Sequence, residues 1–236
     1  MKKTVLIVSV LLNVALVAAL IYIGAYRTDY FKRLYAHIYH TPYVPTRRDH
    51  DCVTSWNNCI EKLDMQVDVV FFGDSHIAGG CFQSAFPQVR SINMGYIGED
   101  TKGMLRRVEA IAAVCPKKIV FMGGINGLKS QSLDDFEYWY TVLVDSICSS
   151  VPDAKLYLNT LLPVTSHSNY CDNAKIVEAN RIINRIASYK GLSMIDIHGA
   201  YAIDCAMPDN MSYDGLHLTL EAYEIWYKKI KSYIND

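Results

Sequence analysis

From residue 67 onward the chain alternates short apolar runs with longer helical patterns, and this alternation restricts the folds it can adopt. The runs are rich in valine, isoleucine and phenylalanine, which is typical of strands buried on both faces. Helices between successive strands imply parallel pairing, because a parallel neighbour can be reached only by a crossover. We predict strands at Val67–Phe72, Val89–Asn93, Lys118–Met122, Lys155–Asn159 and Ser193–Ile197.

Helical patterns occupy the segments between these strands. We predict helices at Cys52–Leu63, Thr101–Val114, Leu133–Ser149, Asn173–Tyr189 and Leu220–Ile234. The expected fold is α/β: a three-layer α/β/α sandwich around a central parallel sheet of about five strands. Ligands of such sheets bind at the carboxyl ends of the strands, where the strand order reverses.

The N-terminus has a different composition. Lys2 and Lys3 precede an apolar run from Val5 to Ala25 that is interrupted by only two polar residues. A membrane-spanning helix needs about 20 apolar residues, whereas the core of a cleaved signal peptide has about 7–15. We predict an uncleaved signal anchor over residues 1–26, with cleavage and secretion as the alternative.

The anchor sets the expected domain order and location. A juxtamembrane segment and linker should follow over residues 27–63, and the folded domain over 64–236. The lysines before the apolar run favour a cytoplasmic N-terminus and an extracytoplasmic domain, by the positive-inside rule. Arg27, Lys32 and Arg33 follow the run and favour the opposite orientation.

Charge and cysteine content narrow the possible partners. Lys plus Arg number 23 and Asp plus Glu 24, for a net charge of −1, which argues against nucleic acid as a partner. No CxxC or HExxH motif occurs, so we predict no metal and no cofactor.

An exported domain permits disulfides among the seven cysteines, for example Cys52–Cys59 or Cys171–Cys205. Alternatively, the cysteines form no disulfides and are buried as small hydrophobic residues.

The first predicted strand runs directly into Gly73-Asp74-Ser75-His76. A serine after a strand is often a helix cap, but on a sharp turn it can also be a nucleophile if a base and oxyanion donors lie nearby. His76 could line the substrate site, or it could cap or pack.

Three further glycine-containing segments lie at strand ends or before a helix. They are NMGYIGEDT (Asn93–Thr101), GGINGL (Gly123–Leu128) and YDGLHL (Tyr213–Leu218). Each one alone could be an ordinary turn. The four motifs in this order, from about residue 67 to 232, resemble the SGNH hydrolase superfamily, also called GDSL esterases. The resemblance implies a flavodoxin-like sheet and hydrolysis of esters.

The resemblance also implies roles for particular residues. Ser75 matches the family's nucleophile, and Asp214 and His217 match its D-x-x-H block. Gly98 ends the N-x-G-x-x-G block and Asn126 occupies the asparagine of the third block. The chain departs from the family pattern at His76, where leucine is usual, and at Gly127, where aspartate is usual.

These residue types also suit ester chemistry on their own terms. A serine hydroxyl needs a base, for which His217 is the candidate and His198 a rival, and Asp214 can hold the imidazole of His217. The N–H groups of Ser75 and Gly98 and the amide of Asn126 can stabilise an oxyanion.

The predicted function is a serine esterase acting on a small-molecule or glycan ester, and the predicted substrate is an O-acetyl or short acyl group on a carbohydrate. One alternative is an O-acyltransferase that uses the same residues on an envelope glycan. Another is a non-catalytic, membrane-tethered binding module.

Overall fold

The computed structural model describes residues 12–19, 22, 47–63 and 65–235. The chain divides into two compact units, Met1–Cys52 and Val53–Asp236, which are described separately. In the first unit, residues 12–19 are helical with exposed side chains. Most of the predicted anchor over residues 1–26 lies outside the described residues. The first part of the predicted juxtamembrane segment and linker, residues 27–46, also lies outside them. Within the ranges that are described, no helix is long and apolar enough to span a membrane.

The second unit is built on a five-stranded sheet in which every neighbouring pair is parallel. The strands are β1 (Val69–Gly73), β2 (Ser91–Gly95), β3 (Lys118–Met122), β4 (Lys155–Asn159) and β5 (Ser193–Ile195). Their order is β2-β1-β3-β4-β5, which is the flavodoxin-like order. All five residues of β1 are buried, in keeping with a strand covered on both faces. The predicted parallel sheet is therefore confirmed.

Helices flank this sheet. They are α1 (Arg47–Lys62), α2 (Ser75–Ala78), α3 (Phe82–Ala85), α4 (Thr101–Leu105), α5 (Val108–Ala113), α6 (Ile125–Leu128), α7 (Leu133–Ser150), α8 (Asn173–Lys190), α9 (His198–Tyr201) and α10 (Leu220–Asn235). Side-chain caps define where the long crossover helices begin: Ser132 accepts from the Asp135 N–H at α7, and Asp172 from the Ala174 N–H at α8. Gly191 ends α8 in the left-handed conformation, with φ of 65°.

The strand order places the reversal point at β1. The chain passes from β1 to β2 on one side and then returns to β3 on the other side of β1. The segments that follow β1, β2 and β3 therefore leave the same edge of the sheet next to one another. These segments carry Ser75, Gly98 and Asn126, so the fold brings three of the four motifs to one place.

Two expectations need correction. The helix predicted over Thr101–Val114 is two helices, α4 and α5, because the chain leaves helical geometry at Arg107 (φ −111°, ψ 3°) and turns this side chain into the interior. The suggested disulfides are not formed: Cys59, Cys171 and Cys205 are all unbridged.

Candidate active site

Ser75 is positioned by a sharp turn at the end of β1. A side chain at Gly73 would place its Cβ 1.8 Å from the carbonyl oxygen of Met122, so the chain can turn here only at glycine. Asp74 then caps the short helix α2 by accepting the His76 N–H at 3.1 Å. Ser75 is the first residue of α2 and is largely buried. This turn holds the hydroxyl at the carboxyl edge of the sheet.

The structure brings Ser75, His217 and Asp214 into one hydrogen-bonded chain. Ser75 Oγ lies 2.9 Å from His217 Nε2, and His217 Nδ1 lies 2.6 Å from Asp214 Oδ2. Because the carboxylate accepts only, Nδ1 carries the imidazole proton and Nε2 is left to accept the serine proton. This geometry would allow a base to activate the serine while a carboxylate orients the ring of the base.

Asp214 stays ionised in this arrangement. Partial burial acts to raise its pKa, but hydrogen bonds from the His217 ring and from two backbone N–H groups lower it, and the pKa falls below its ordinary value of 3.8. The ionised carboxylate can therefore stabilise an imidazolium when His217 takes a proton.

The turn that carries His217 is held by its own hydrogen bonds. Asp214 Oδ1 accepts the N–H of Leu216 at 3.0 Å and that of His217 at 2.7 Å. Ser212 Oγ donates to the His217 carbonyl at 2.7 Å and accepts the Gly215 N–H at 2.9 Å. These bonds join residues no more than five apart, so residues 212–217 fix most of this turn themselves.

The predicted oxyanion donors lie in the segments after β2 and β3. Gly98 has φ of +75°, and no atom lies within 4 Å of the place that a Cβ would occupy, so conformation rather than crowding favours glycine there. Asn126 Nδ2 donates one proton to the Glu99 carbonyl at 2.9 Å, and Asn126 Oδ1 accepts the Tyr170 hydroxyl at 2.5 Å. Burial raises the pKa of Tyr170 to about 12, which keeps this hydroxyl protonated. These contacts fix the amide and leave its second N–H for a ligand.

A buried ion pair supports the Gly98 segment. Glu99 accepts from the guanidinium of Arg107, with Nε 2.8 Å from Oε2, and both side chains are almost wholly buried. Arg107 also donates to the carbonyls of Met94 at 2.8 Å and Gly73 at 3.3 Å. Burial raises the pKa of Glu99, and the positive charge of Arg107 opposes this shift. One side chain thus joins the ends of β1 and β2 to the residue after Gly98.

Arg107 and Tyr170 also support the site, although neither belongs to any of the four motifs. Arg107 lies three residues after Met104 and four before Ile111, and both of these residues are buried. This spacing places Arg107 on the apolar face of the predicted helix, and a charged residue on that face is the sequence signal for a buried cation. Tyr170 lies in a loop without periodicity, and its contact with Asn126 spans 44 residues. No local pattern indicates that contact.

The other candidate histidines are placed differently. His198 lies at the start of α9, where its backbone N–H donates to Thr160 Oγ1, and Ser75 Oγ bonds His217 instead. His76 is buried beneath the site, with Nε2 3.0 Å from the Leu216 carbonyl. Within the described part of the chain, no cluster of three His, Cys, Asp or Glu side chains could hold a metal ion.

The family model for the GDSL-like lipase/acylhydrolase family matches residues 71–225. The chain belongs to this family. It is therefore an ester-hydrolysing enzyme with the SGNH fold, as the motif order indicated. No curated protein sequence matches the chain.

Several solved structures share the fold. A GDSL-like lipase from Bacteroides thetaiotaomicron is 19% identical over 78% of this chain and 97% of its own, with a TM-score of 0.68. The acetyl xylan esterase AlAXEase is 21% identical over 71% of this chain and 99% of its own, with a TM-score of 0.61. An acetyl xylan esterase from Geobacillus stearothermophilus is 18% identical, covers 72% and 95%, and has a TM-score of 0.57. At these identities the likeness shows the fold of this family member and leaves its substrate open.

Proposed function

We propose that this family member is a serine esterase in which Ser75 is the nucleophile, His217 the base and Asp214 the group that orients the base. The observation that carries the proposal is the continuous contact from Ser75 Oγ to His217 Nε2 at 2.9 Å and from His217 Nδ1 to Asp214 Oδ2 at 2.6 Å. A nucleophile, a base and an orienting group within hydrogen-bond reach are what covalent acyl transfer requires.

The reaction proceeds through an acyl-enzyme. His217 removes the Ser75 proton as Oγ attacks the ester carbonyl carbon, and the carbonyl oxygen becomes an oxyanion. The N–H groups of Ser75 and Gly98 and the second amide N–H of Asn126 stabilise it, since none of the three donates a hydrogen bond within the described residues. His217 then protonates the leaving alcohol. Water, deprotonated by the same base, releases the acid and restores Ser75.

We propose O-acetyl or another short acyl group on a carbohydrate as the substrate. Tyr213 supports a sugar: its ring stacks on His217 with centroids 5.8 Å apart, and the residue is 71% exposed. An exposed aromatic ring beside the base offers a rigid apolar face to a leaving group that also carries hydroxyls. Two of the similar structures are acetyl xylan esterases, which supports the same substrate class.

The other predicted activities have less support. An O-acyltransferase would need an acceptor sugar held in place of water, and no feature of the described residues favours such an acceptor. A non-catalytic binding module does not need an aligned serine, histidine and carboxylate.

We also propose that the apolar run from Val5 to Ala25 anchors the enzyme in a membrane with the hydrolase domain on the extracytoplasmic side. The length of this run supports an anchor, and Lys2 and Lys3 support the orientation. Fractionation of the full chain and of a variant lacking residues 1–26 tests the anchor. A domain that added protease digests in intact cells lies outside the cytoplasm, whereas complete protection contradicts the orientation.

The decisive experiment compares the full chain with Ser75→Ala on a short-chain acyl ester reporter and on acetylated oligosaccharides. Loss of the nucleophile should lower kcat by about 10⁴–10⁶, since the aligned groups act as a unit. Ser84→Ala is the matched control, because Ser84 is an exposed serine on α3. Ser75→Ala with wild-type turnover would show that the nucleophile is wrongly assigned. Acyl transfer to an added sugar in preference to water would favour the transferase.

A further inference from the structure

One buried titratable side chain at the site takes no part in the reaction proposed above. His76 follows Ser75 directly and is 2% exposed. Its Nδ1 lies 3.4 Å from Asp74 Oδ1, and its Nε2 lies 3.0 Å from the carbonyl oxygen of Leu216. A carbonyl oxygen can only accept, so Nε2 carries a proton and donates it to this bond. This nitrogen is therefore not available as a base for the neighbouring serine.

His217 has the opposite proton arrangement at Nε2. Its Nδ1 donates to Asp214, while its Nε2 accepts from Ser75. The two imidazole rings are close, with centroids 5.5 Å apart. In His76 the protonated Nε2 faces a carbonyl, and in His217 the unprotonated Nε2 faces a hydroxyl, so the two rings cannot exchange roles.

The bond from His76 joins two segments that are distant in sequence. Leu216 directly precedes His217 and lies 140 residues from His76. Leu216 is buried, and no other hydrogen bond reaches its carbonyl oxygen from the described residues. An unsatisfied buried carbonyl is costly, so removal of the His76 donor would favour displacement of the peptide between Leu216 and His217.

The surroundings of His76 favour its charged form. Burial acts to lower the pKa of His76, but the hydrogen bond and negative charge of Asp74 raise it, as do the Leu216 carbonyl and the charge of Asp214, and the net direction is upward. Tyr223 of α10 donates its hydroxyl to the His76 carbonyl at 2.7 Å, and burial raises the pKa of Tyr223, so this neighbour stays neutral. Asp74 is fully buried, and its Oδ2 has no hydrogen-bond partner among the described residues. His76 Nδ1 is the ring nitrogen that faces this carboxylate, 3.4 Å from its other oxygen, Oδ1.

We propose that His76 is a positioning residue that holds the Leu216–His217 peptide against the nucleophile turn and so keeps His217 Nε2 within reach of Ser75 Oγ. The inference rests on the roles proposed for Ser75 and His217. A displacement of about 1 Å at reacting groups can lower the rate about 10²-fold, so one hydrogen bond at this peptide suffices for a measurable effect.

The first test measures kcat and KM of three variants in the full chain. His76→Leu, which introduces the residue usual at this position in the family, should lower kcat about 10- to 100-fold with KM within about twofold of wild type. His76→Gln keeps an N–H donor for the Leu216 carbonyl and should recover most of the loss. His167→Leu replaces an 83% exposed histidine and should leave both constants unchanged.

A second readout does not depend on turnover. The proton on His217 Nδ1, hydrogen-bonded to Asp214, should give a downfield proton NMR resonance in wild type. We expect this resonance to broaden or shift in His76→Leu and to persist in His76→Gln. If His76→Leu does not fold, Asp74→Asn/His76→Leu removes the unpaired carboxylate and keeps an oxygen cap for α2, and it should show the same low kcat and altered resonance.

Three results would overturn the inference. The first is wild-type kcat in His76→Leu. The second is an equal loss in His76→Leu and His76→Gln, which would indicate ring packing. The third is an unchanged His217 resonance in His76→Leu. Absence of turnover in wild type, with Ser75 unreactive toward a fluorophosphonate probe, would instead contradict the proposed function, and the resonance comparison would still decide the role of His76.

Discussion

Two segments bring polar groups to Ser75, and they are held in different ways. The turn over residues 212–217 is fixed by short-range hydrogen bonds of Asp214 and Ser212, and it is partly open to solvent. The segment carrying Gly98 is held instead by a buried guanidinium, that of Arg107, which also contacts the ends of β1 and β2. We therefore expect the proposed base to tolerate changes in the distant core as long as the bond from His76 to the Leu216 carbonyl is kept, whereas the proposed oxyanion donors should be sensitive to such changes.

Of the two segments, the locally held turn should give the larger effect on activity. Asp214→Asn should lower kcat by about 10⁴, because an amide no longer imposes the required tautomer on His217. Because Asp214 is partly exposed and its bonds are local, we expect little change in the urea midpoint. Activity assays beside urea unfolding check both expectations. A large loss of stability would contradict the view that this turn is locally determined.

The buried ion pair should show the opposite behaviour. Arg107→Met leaves the Glu99 carboxylate buried without its partner and should destabilise the fold by about 3–5 kcal/mol, with a fall in kcat as well. Glu99→Gln/Arg107→Met is the matched control and should regain much of the stability, since no unpaired charge remains. Urea unfolding of wild type, single and double variants measures the difference. Equal stability of the single and double variants would show that charge pairing is not what holds this segment.

Asn126 is also held by residues distant in sequence, Glu99 and Tyr170. In the proposed reaction its amide donates directly to the oxyanion. Asn126→Ala should lower kcat by about 10²–10³, the effect typical of losing one such donor. KM should change little, because the donor acts mainly in the transition state. Steady-state kinetics on the reporter ester test this split. A change confined to KM would place Asn126 in ground-state binding instead.

The smallest effect on kcat should come from Tyr170, whose hydroxyl donates to Asn126 Oδ1. Tyr170→Phe removes the hydroxyl bonded to Asn126 Oδ1 and should lower kcat by a few-fold, corresponding to about 1 kcal/mol for one hydrogen bond. Tyr189→Phe is the control, because Tyr189 is an exposed tyrosine at the end of α8. If Tyr170→Phe and Asn126→Ala lower kcat by independent, additive amounts, Tyr170 does not act through Asn126.

The contrast between short-range and long-range contacts also explains how much of the fold and the site the sequence predicts. The bounds of β3 and β4 agree with the predicted strands, because each apolar run there ends at a clear polar or glycine boundary. Ser75, Asp214 and His217 were candidates because each lies in a local motif. Other contacts that support the site join residues far apart in sequence, such as His76 with Leu216 and Tyr170 with Asn126, and only the folded chain reveals which groups meet. Arg107 also breaks a helix that periodicity predicts as continuous.

Trp56 on α1 lies with its ring 5.2 Å from the Arg107 guanidinium, and the neighbouring Asn57 donates to the Arg106 carbonyl at 2.8 Å. The segment that motif matching leaves outside the hydrolase domain is thus part of the wall around its buried cation. A version of this enzyme shortened to begin at residue 64 would expose that cation to water and loosen its hold on Glu99. For engineering, the smallest working unit therefore starts upstream of the domain boundary that the motifs suggest.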